Sequence, residues 1–137
     1  VKLSLKLEYA CRVLAQLSKR QEGAQLAHIE ELAKAEGIPA NYLVQVLNDL
    51  RNAGLIVSRR GKQGGYALAR TPREITLYDI VHAVDAEMLE GQASAKGESG
   101  PRVAEIWSGV SERLGADLRA IRLDELAPRE GQNMYYI

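Results

Sequence analysis

Phenylalanine is absent from the 137 residues, and cysteine and tryptophan occur once each, as Cys11 and Trp107. Without phenylalanine the core has to be aliphatic, built from Leu, Val, Ile and Ala. A single cysteine excludes an internal disulfide framework and any site that draws several thiolates from one chain. His28 and His82 are the two histidines, and no HExxH, CxxC or similar ligand spacing exists, so no metal site is expected. No apolar run approaches the roughly 20 residues that cross a bilayer. The start "VKLSLKLEYA" lacks the continuous apolar stretch of a signal peptide, and a cytoplasmic protein is expected. Catalytic motifs are missing too: no nucleophile–base pair, paired-carboxylate motif or phosphate loop occurs. "GKQGG" has neither the strand–loop–helix setting nor the Ser/Thr of a P-loop. No enzyme is expected.

What remains is ordinary in bulk and uneven in detail. Hydrophobic residues make up 46% and charged residues 26%, as in a globular domain with a real core. The net charge of zero hides an asymmetry: residues 1–75 carry twelve Lys/Arg against seven Asp/Glu, and residues 76–137 carry six against eleven. A basic first half suits an anionic partner for that half; chance scatter of surface charge is the alternative.

Leu7, Ala10, Cys11, Leu14 and Leu17 mark one face of a helix over about Ser4 to Arg20. Ile29, Leu32 and Ala33 mark a short second helix closed by Gly37. Pro39 is placed just inside a third helix, "PANYLVQVLNDLRNAG", whose buried stripe is Leu43, Val46, Leu47, Leu50 and Ala53, with Gly54 as terminator. A second row on that helix, Asn41, Val44, Gln45 and Asn48, is uncharged, whereas a merely solvated face usually carries Lys and Glu. "LIVSRR", "GKQGG" and "YALAR" read as a β-hairpin: arginines end one strand, glycines allow positive φ at the tip and Tyr66 starts the return. Thr76 and Asp79 match a capping box for a fourth helix, with Ile75 and Ile80 as its hydrophobic staple. "EGQASAKGESG", residues 90–100, is a flexible loop, and Pro101 starts a long last helix striped by Val103, Trp107, Val110, Leu114, Leu118 and Ile121, with Glu105, Glu112 and Arg113 on its outer face.

Three helices followed by a hairpin is the order of a winged helix-turn-helix: mainly α with a small β wing, plus a long C-terminal helix. The expected layout is a DNA-binding domain over 1–85, a loop over 86–100, a dimerisation helix over 101–122 and a tail over 123–137. The third helix would enter a major groove, where Asn41, Gln45 and Asn48 can bond base edges and Val44 can meet a thymine methyl. Arg59, Arg60 and Lys62 would reach phosphates or a minor groove, Gly64 and Gly65 would let backbone approach the duplex, and Lys6 could add a phosphate contact. A winged-helix module that binds protein instead of DNA is the alternative.

"LKLEYACRVLAQL", "IPANYLVQVLNDLRNAGLIVSRRGKQGGYALAR" and "ITLYDIVHAV" resemble the Rrf-two family of bacterial transcription regulators, strongly over residues 2–85 and more loosely over the last helix. The resemblance implies a homodimeric regulator, expected to be a repressor on a palindromic operator, with the last helix crossing to the partner. It puts Asn41, Tyr42 and Gln45 at the major groove and Arg60 with its glycine neighbours on the wing. Several family members carry an acidic residue where Val44 stands, so a different base preference is implied. Many relatives hold an iron–sulfur cluster on three cysteines before the long helix; "EMLEGQASAKGESGP" has no Cys and no His, and no cluster is expected.

Control of DNA binding is open at this level. Cys11 as a thiol redox sensor competes with a small buried thiol. His82, among Ile80, Val81 and Val84, reads as structural, His28 as a surface or capping residue, and Trp107 as packing. A small-molecule pocket between the DNA-binding domain and the long helix is a further option. The ending "NMYYI" looks like the tail of the cluster-free, cysteine-metabolism branch, whose members act with cysteine synthase, an enzyme that accepts peptides ending in isoleucine. Tyr135, Tyr136 and Ile137 would then form a recognition tail; the alternative is that they fold back on the protein.

Overall fold

The computed structural model describes residues 2–21, 26–90 and 93–128. Helix α1 (Leu5–Arg20) starts where the Ser4 hydroxyl accepts a hydrogen bond from the Leu7 N–H at 3.2 Å. It buries more than the expected stripe: Val13, Ala15 and Gln16 join Leu7, Ala10, Leu14 and Leu17, so α1 is a central element of the core. Cys11, placed on the stripe, is only half-buried. Helix α2 (Ile29–Glu36) closes at Gly37, whose φ of 65° is the left-handed turn that glycine adopts without strain. Helix α3 (Ala40–Asn52) begins one residue later than expected, because Pro39 is its cap, the carbonyl accepting from the Leu43 N–H at 3.0 Å. Leu43, Val46, Leu47 and Leu50 are fully buried, while Ala53, assigned to the same stripe, is an exposed C-cap.

Strands β1 (Ile56–Arg59) and β2 (Gly65–Leu68) pair antiparallel, with Ile56 opposite Leu68 and Arg59 opposite Gly65. The return strand therefore begins at Gly65, one residue before Tyr66, and Arg60 lies beyond the end of β1. Ala27 and Tyr66 exchange backbone hydrogen bonds of 3.0 and 2.8 Å, tying the wing to the segment that enters α2.

Helix α4 (Leu77–Val84) carries the capping box: Thr76 Oγ1 accepts from the Asp79 N–H at 3.2 Å, and an Asp79 carboxylate oxygen accepts from the Thr76 N–H at 3.0 Å. Ile75 and Ile80 are both buried beside it. Helix α5 (Gly100–Ala120) contains Pro101 in its first turn and stops before Ile121.

The chain then does something the sequence reading missed. It turns back to the first domain. The Leu77 N–H donates to the Ile121 carbonyl at 2.9 Å, and the Leu123 N–H donates to the Ile75 carbonyl at 2.8 Å. Leu123 is completely buried in the core, at the head of a 3-10 turn over Leu123–Glu125. The stretch read as the start of a tail is thus a clasp holding the C-terminal end of α5 to the segment that enters α4. Leu123→Ala is expected to cost about 2–5 kcal/mol in urea denaturation, the range for a buried leucine that leaves a cavity. An unchanged midpoint would mean that this segment is not docked in solution.

Candidate nucleic-acid interface

Cross-links among α1, α2 and α3 set the shape of the helix-turn-helix. The Arg12 guanidinium donates to the Glu36 carbonyl at the end of α2, and its carbon lies 5.1 Å from the Tyr9 ring centre. Tyr9 in turn meets Tyr42 of α3 edge-on, with ring centres 5.3 Å apart. Gln16 donates to a Glu36 carboxylate oxygen at 2.7 Å, and Arg20 bonds Glu31 at 3.1 Å. The backbone N–H of His28 and the side chain of Arg20 together hold the Glu31 carboxyl below its usual pKa.

With α3 so fixed, Asn41, Val44 and Gln45 are exposed on one face, and Asn48 is half-exposed on the same row. Val44 is 44% exposed, a large value for an apolar side chain on a helix that buries four others. Tyr42 differs from the expectation: it is half-buried against Tyr9, so its ring packs the helices together. Lys6 differs as well. Its ammonium is paired with Asp49 of α3, so it neutralises an acid on the recognition helix instead of standing free for a phosphate.

Arg59, Arg60 and Lys62 are all exposed on the wing, and among the described residues none has a carboxylate partner. The glycines play another part than expected. Gly64 and Gly65 are buried, not presented to a duplex. A Cβ on Gly64 would collide with the backbone of Arg59 and Arg60, and one on Gly65 (φ 130°) would lie 2.5 Å from the Ala27 carbonyl oxygen. They let the wing fold onto itself and onto Ala27. His28 completes this attachment, since its Nε2 lies 3.1 Å from the Lys62 carbonyl at the wing tip. Sequence reasoning gave His28 no such role, and it missed Arg51. That guanidinium bonds Asn48 within α3 and Ser58 on β1, joining recognition helix and wing.

Elsewhere, a cleft of about 610 Å³ opens between α4 and α5, lined by Tyr78, Glu112, Arg119 and several small residues, with Arg119 lying 3.8 Å over the Tyr78 ring. His82, read as structural, is exposed and lies alongside Tyr78, ring centres 6.2 Å apart. Tyr135, Tyr136 and Ile137 fall outside the described residues. None of the described helices is long and apolar enough to cross a membrane.

A three-helix unit with a neutral polar row exposed on its last helix, flanked by a cationic hairpin, defines a winged helix-turn-helix DNA-binding protein. The family model Rrf2, described as an iron-dependent transcriptional regulator, matches residues 3–129, and the chain belongs to that family. It is 34% identical over 138 residues to the HTH-type transcriptional regulator IscR of Cereibacter sphaeroides, spanning 95% of this chain and 89% of that protein. It is 30% identical over 146 residues to the HTH-type transcriptional regulator CymR of Bacillus subtilis, spanning 100% of both. The solved structure of CymR, titled the global cysteine regulator of B. subtilis, superposes with a TM-score of 0.78 at 29% identity, covering 93% of this chain and 96% of that one. The protein is therefore a DNA-binding transcriptional regulator and not an enzyme.

The family's description names iron, and an iron–sulfur cluster does not suit the donors of the α4–α5 connection. The α4–α5 connection offers the carboxylates of Asp85, Glu87, Glu90 and Glu98 but no Cys or His, whereas cluster irons take thiolates or imidazoles. Among the described residues no three potential ligands converge.

A thiol sensor at Cys11 is equally poorly served. Burial, and then the nearby Glu8 carboxylate, push its thiol up to about 11, so it stays protonated and unreactive at neutral pH. Because the folded-state value lies above the ordinary 9.0, this contribution to stability is intact below pH 9 and is lost as pH rises through about 11. Native protein is expected to alkylate slowly with iodoacetamide at pH 7 and rapidly in urea. Equal rates in both would return Cys11 to the list of reactive thiols.

Proposed function

We propose that this regulator works as a homodimer, binds a roughly palindromic operator without an iron–sulfur cluster, and represses transcription by occupying it. The observation that carries the DNA reading is the side-by-side exposure of Asn41, Val44 and Gln45 on α3 and of Arg59, Arg60 and Lys62 on the wing. Neutral donors and acceptors discriminate base edges, and unpaired cations supply the phosphate attraction.

Support for the dimer comes from α5. Val103, Ile106, Trp107 and Val110 are 46%, 50%, 56% and 39% exposed, an apolar face that a small domain does not leave in water. Ile106 was outside the stripe read from the sequence; Leu114, Leu118 and Ile121 from that stripe are half-buried, Leu118 against the core. A second copy applying the same face would bury the exposed end of the helix. Two recognition helices would then meet half-sites about 34–36 Å apart, one turn of B-DNA. Cluster-free action rests on the donor set of the α4–α5 connection described above.

Trp107→Glu is expected to convert the dimer to monomer in light scattering and to weaken operator binding with it. A variant that remains dimeric would move the interface elsewhere. Arg60→Ala is expected to weaken binding to all duplexes and to reduce the slope of log K against log salt by about 1. Gln45→Ala is expected to cost about 1–3 kcal/mol on the operator while leaving random DNA little changed. Identical effects of the two substitutions on operator and random duplex would contradict this division of roles, and no duplex binding at low salt would favour the protein-binding module.

A further inference from the structure

We infer that Arg51 is a specificity-positioning residue: it fixes the amide of Asn48 so that this side chain presents donors only, which suits a guanine edge and disfavours adenine. The inference rests on the DNA-binding reading of α3 given above.

The argument starts from chemistry. A guanidinium donates hydrogen bonds and cannot accept one. Arg51 Nη2 lies 3.1 Å from Asn48 Oδ1, so the oxygen, not the nitrogen, of the amide faces it. A donor-only partner requires the acceptor end of the amide, so the orientation of Asn48 follows from Arg51. Arg51 is itself held from the other side, its Nη1 donating to Ser58 Oγ on β1 at 3.2 Å. The guanidinium is therefore bridged between recognition helix and wing, which restricts its motion and that of Asn48. Among the described residues the Asn48 Nδ2 group makes no hydrogen bond. Asn48 is half-exposed on the same row as Asn41, Val44 and Gln45.

A free asparagine reads adenine by using both ends of its amide: the oxygen accepts from N6 and the nitrogen donates to N7. Holding the oxygen on Arg51 removes the first of these bonds. What remains is an NH2 group with two hydrogens, which matches the adjacent O6 and N7 acceptors of guanine. Cytosine offers an amino donor in the same groove and would face donor against donor. Sequence alone could not show this, because an Asn at this position carries the usual adenine expectation until its oxygen is seen to be engaged.

Selection from randomised duplexes tests the inference, with the full chain and its Asn48→Ala, Arg51→Ala and Arg51→Lys variants. Arg51 is exposed, so its replacements are expected to fold, and circular dichroism checks that. One operator position should lose its preference in Asn48→Ala and show a G·C pair in the parent protein. Arg51→Ala should shift that same position toward A·T, whereas Arg51→Lys, which keeps a donor for Oδ1, should hold the preference. Replacing the guanine there by 7-deazaguanine should weaken the parent protein about tenfold, a change equivalent to about 1.4 kcal/mol, and leave Asn48→Ala unaffected. An A·T preference in the parent, a preference unmoved by Arg51→Ala, or no position dependent on Asn48 would overturn the inference while leaving DNA recognition intact. Failure of the parent protein to enrich any duplex would instead overturn the DNA reading beneath it.

Discussion

A Cβ on Gly65 would sit 2.5 Å from the Ala27 carbonyl oxygen, so the wing reaches the rest of the domain only because that side chain is missing. The reciprocal Ala27–Tyr66 hydrogen bonds depend on this close approach, and so does the hydrogen bond from His28 to the wing tip. Through them the hairpin is attached to the entrance of α2, and α2 is attached to α1 by Arg12 and Gln16. The cations of the wing and the polar row of α3 are consequently parts of one rigid face. A loosely attached wing would lose conformational entropy on meeting DNA; this one has lost much of it in folding.

Much of that face could be read in the residues. The helices announced themselves through local signals: the apolar spacing of α1 and α3, the left-handed glycines at 37 and 54, and the Thr76–Asp79 box. The exposed row on α3 was legible for the same reason, since helical periodicity that places Leu43, Val46, Leu47 and Leu50 inside places Asn41, Val44 and Gln45 outside. What escaped were contacts between elements. Lys6 and Asp49 are far apart in sequence, and nothing local says that one neutralises the other. Arg51 looks like any solvated residue near a helix end until Ser58 arrives on β1. Gly64 and Gly65 read as a flexible tip because a sequence shows that a side chain is absent but not which atoms occupy the space. Leu123 lies in the segment "IRLDELA", too short for a periodicity to show, and a backbone hydrogen bond to Ile75 fixes its place.

Helix α5 is tied to the DNA-binding domain through α4 and the segment that enters it. Its C-terminal end is held at α4: the chain returns through the Ile121–Leu123 clasp, and Arg119 covers Tyr78. A change in the angle of α5 would therefore be felt by Ile75, which lies against the core shared with α3. An iron–sulfur cluster has no suitable donors in the α4–α5 connection, and Cys11 is held as a thiol by its surroundings.

The central claim is that one face, α3 with the wing, meets DNA. Backbone-amide NMR during titration with a duplex tests it most directly. The account predicts that resonances shift along Ala40–Asn48 and Arg59–Gly64, with little movement at the α4–α5 cleft beyond what dimer formation causes. Shifts centred on the cleft or on α5, with α3 and the wing unmoved, would contradict it.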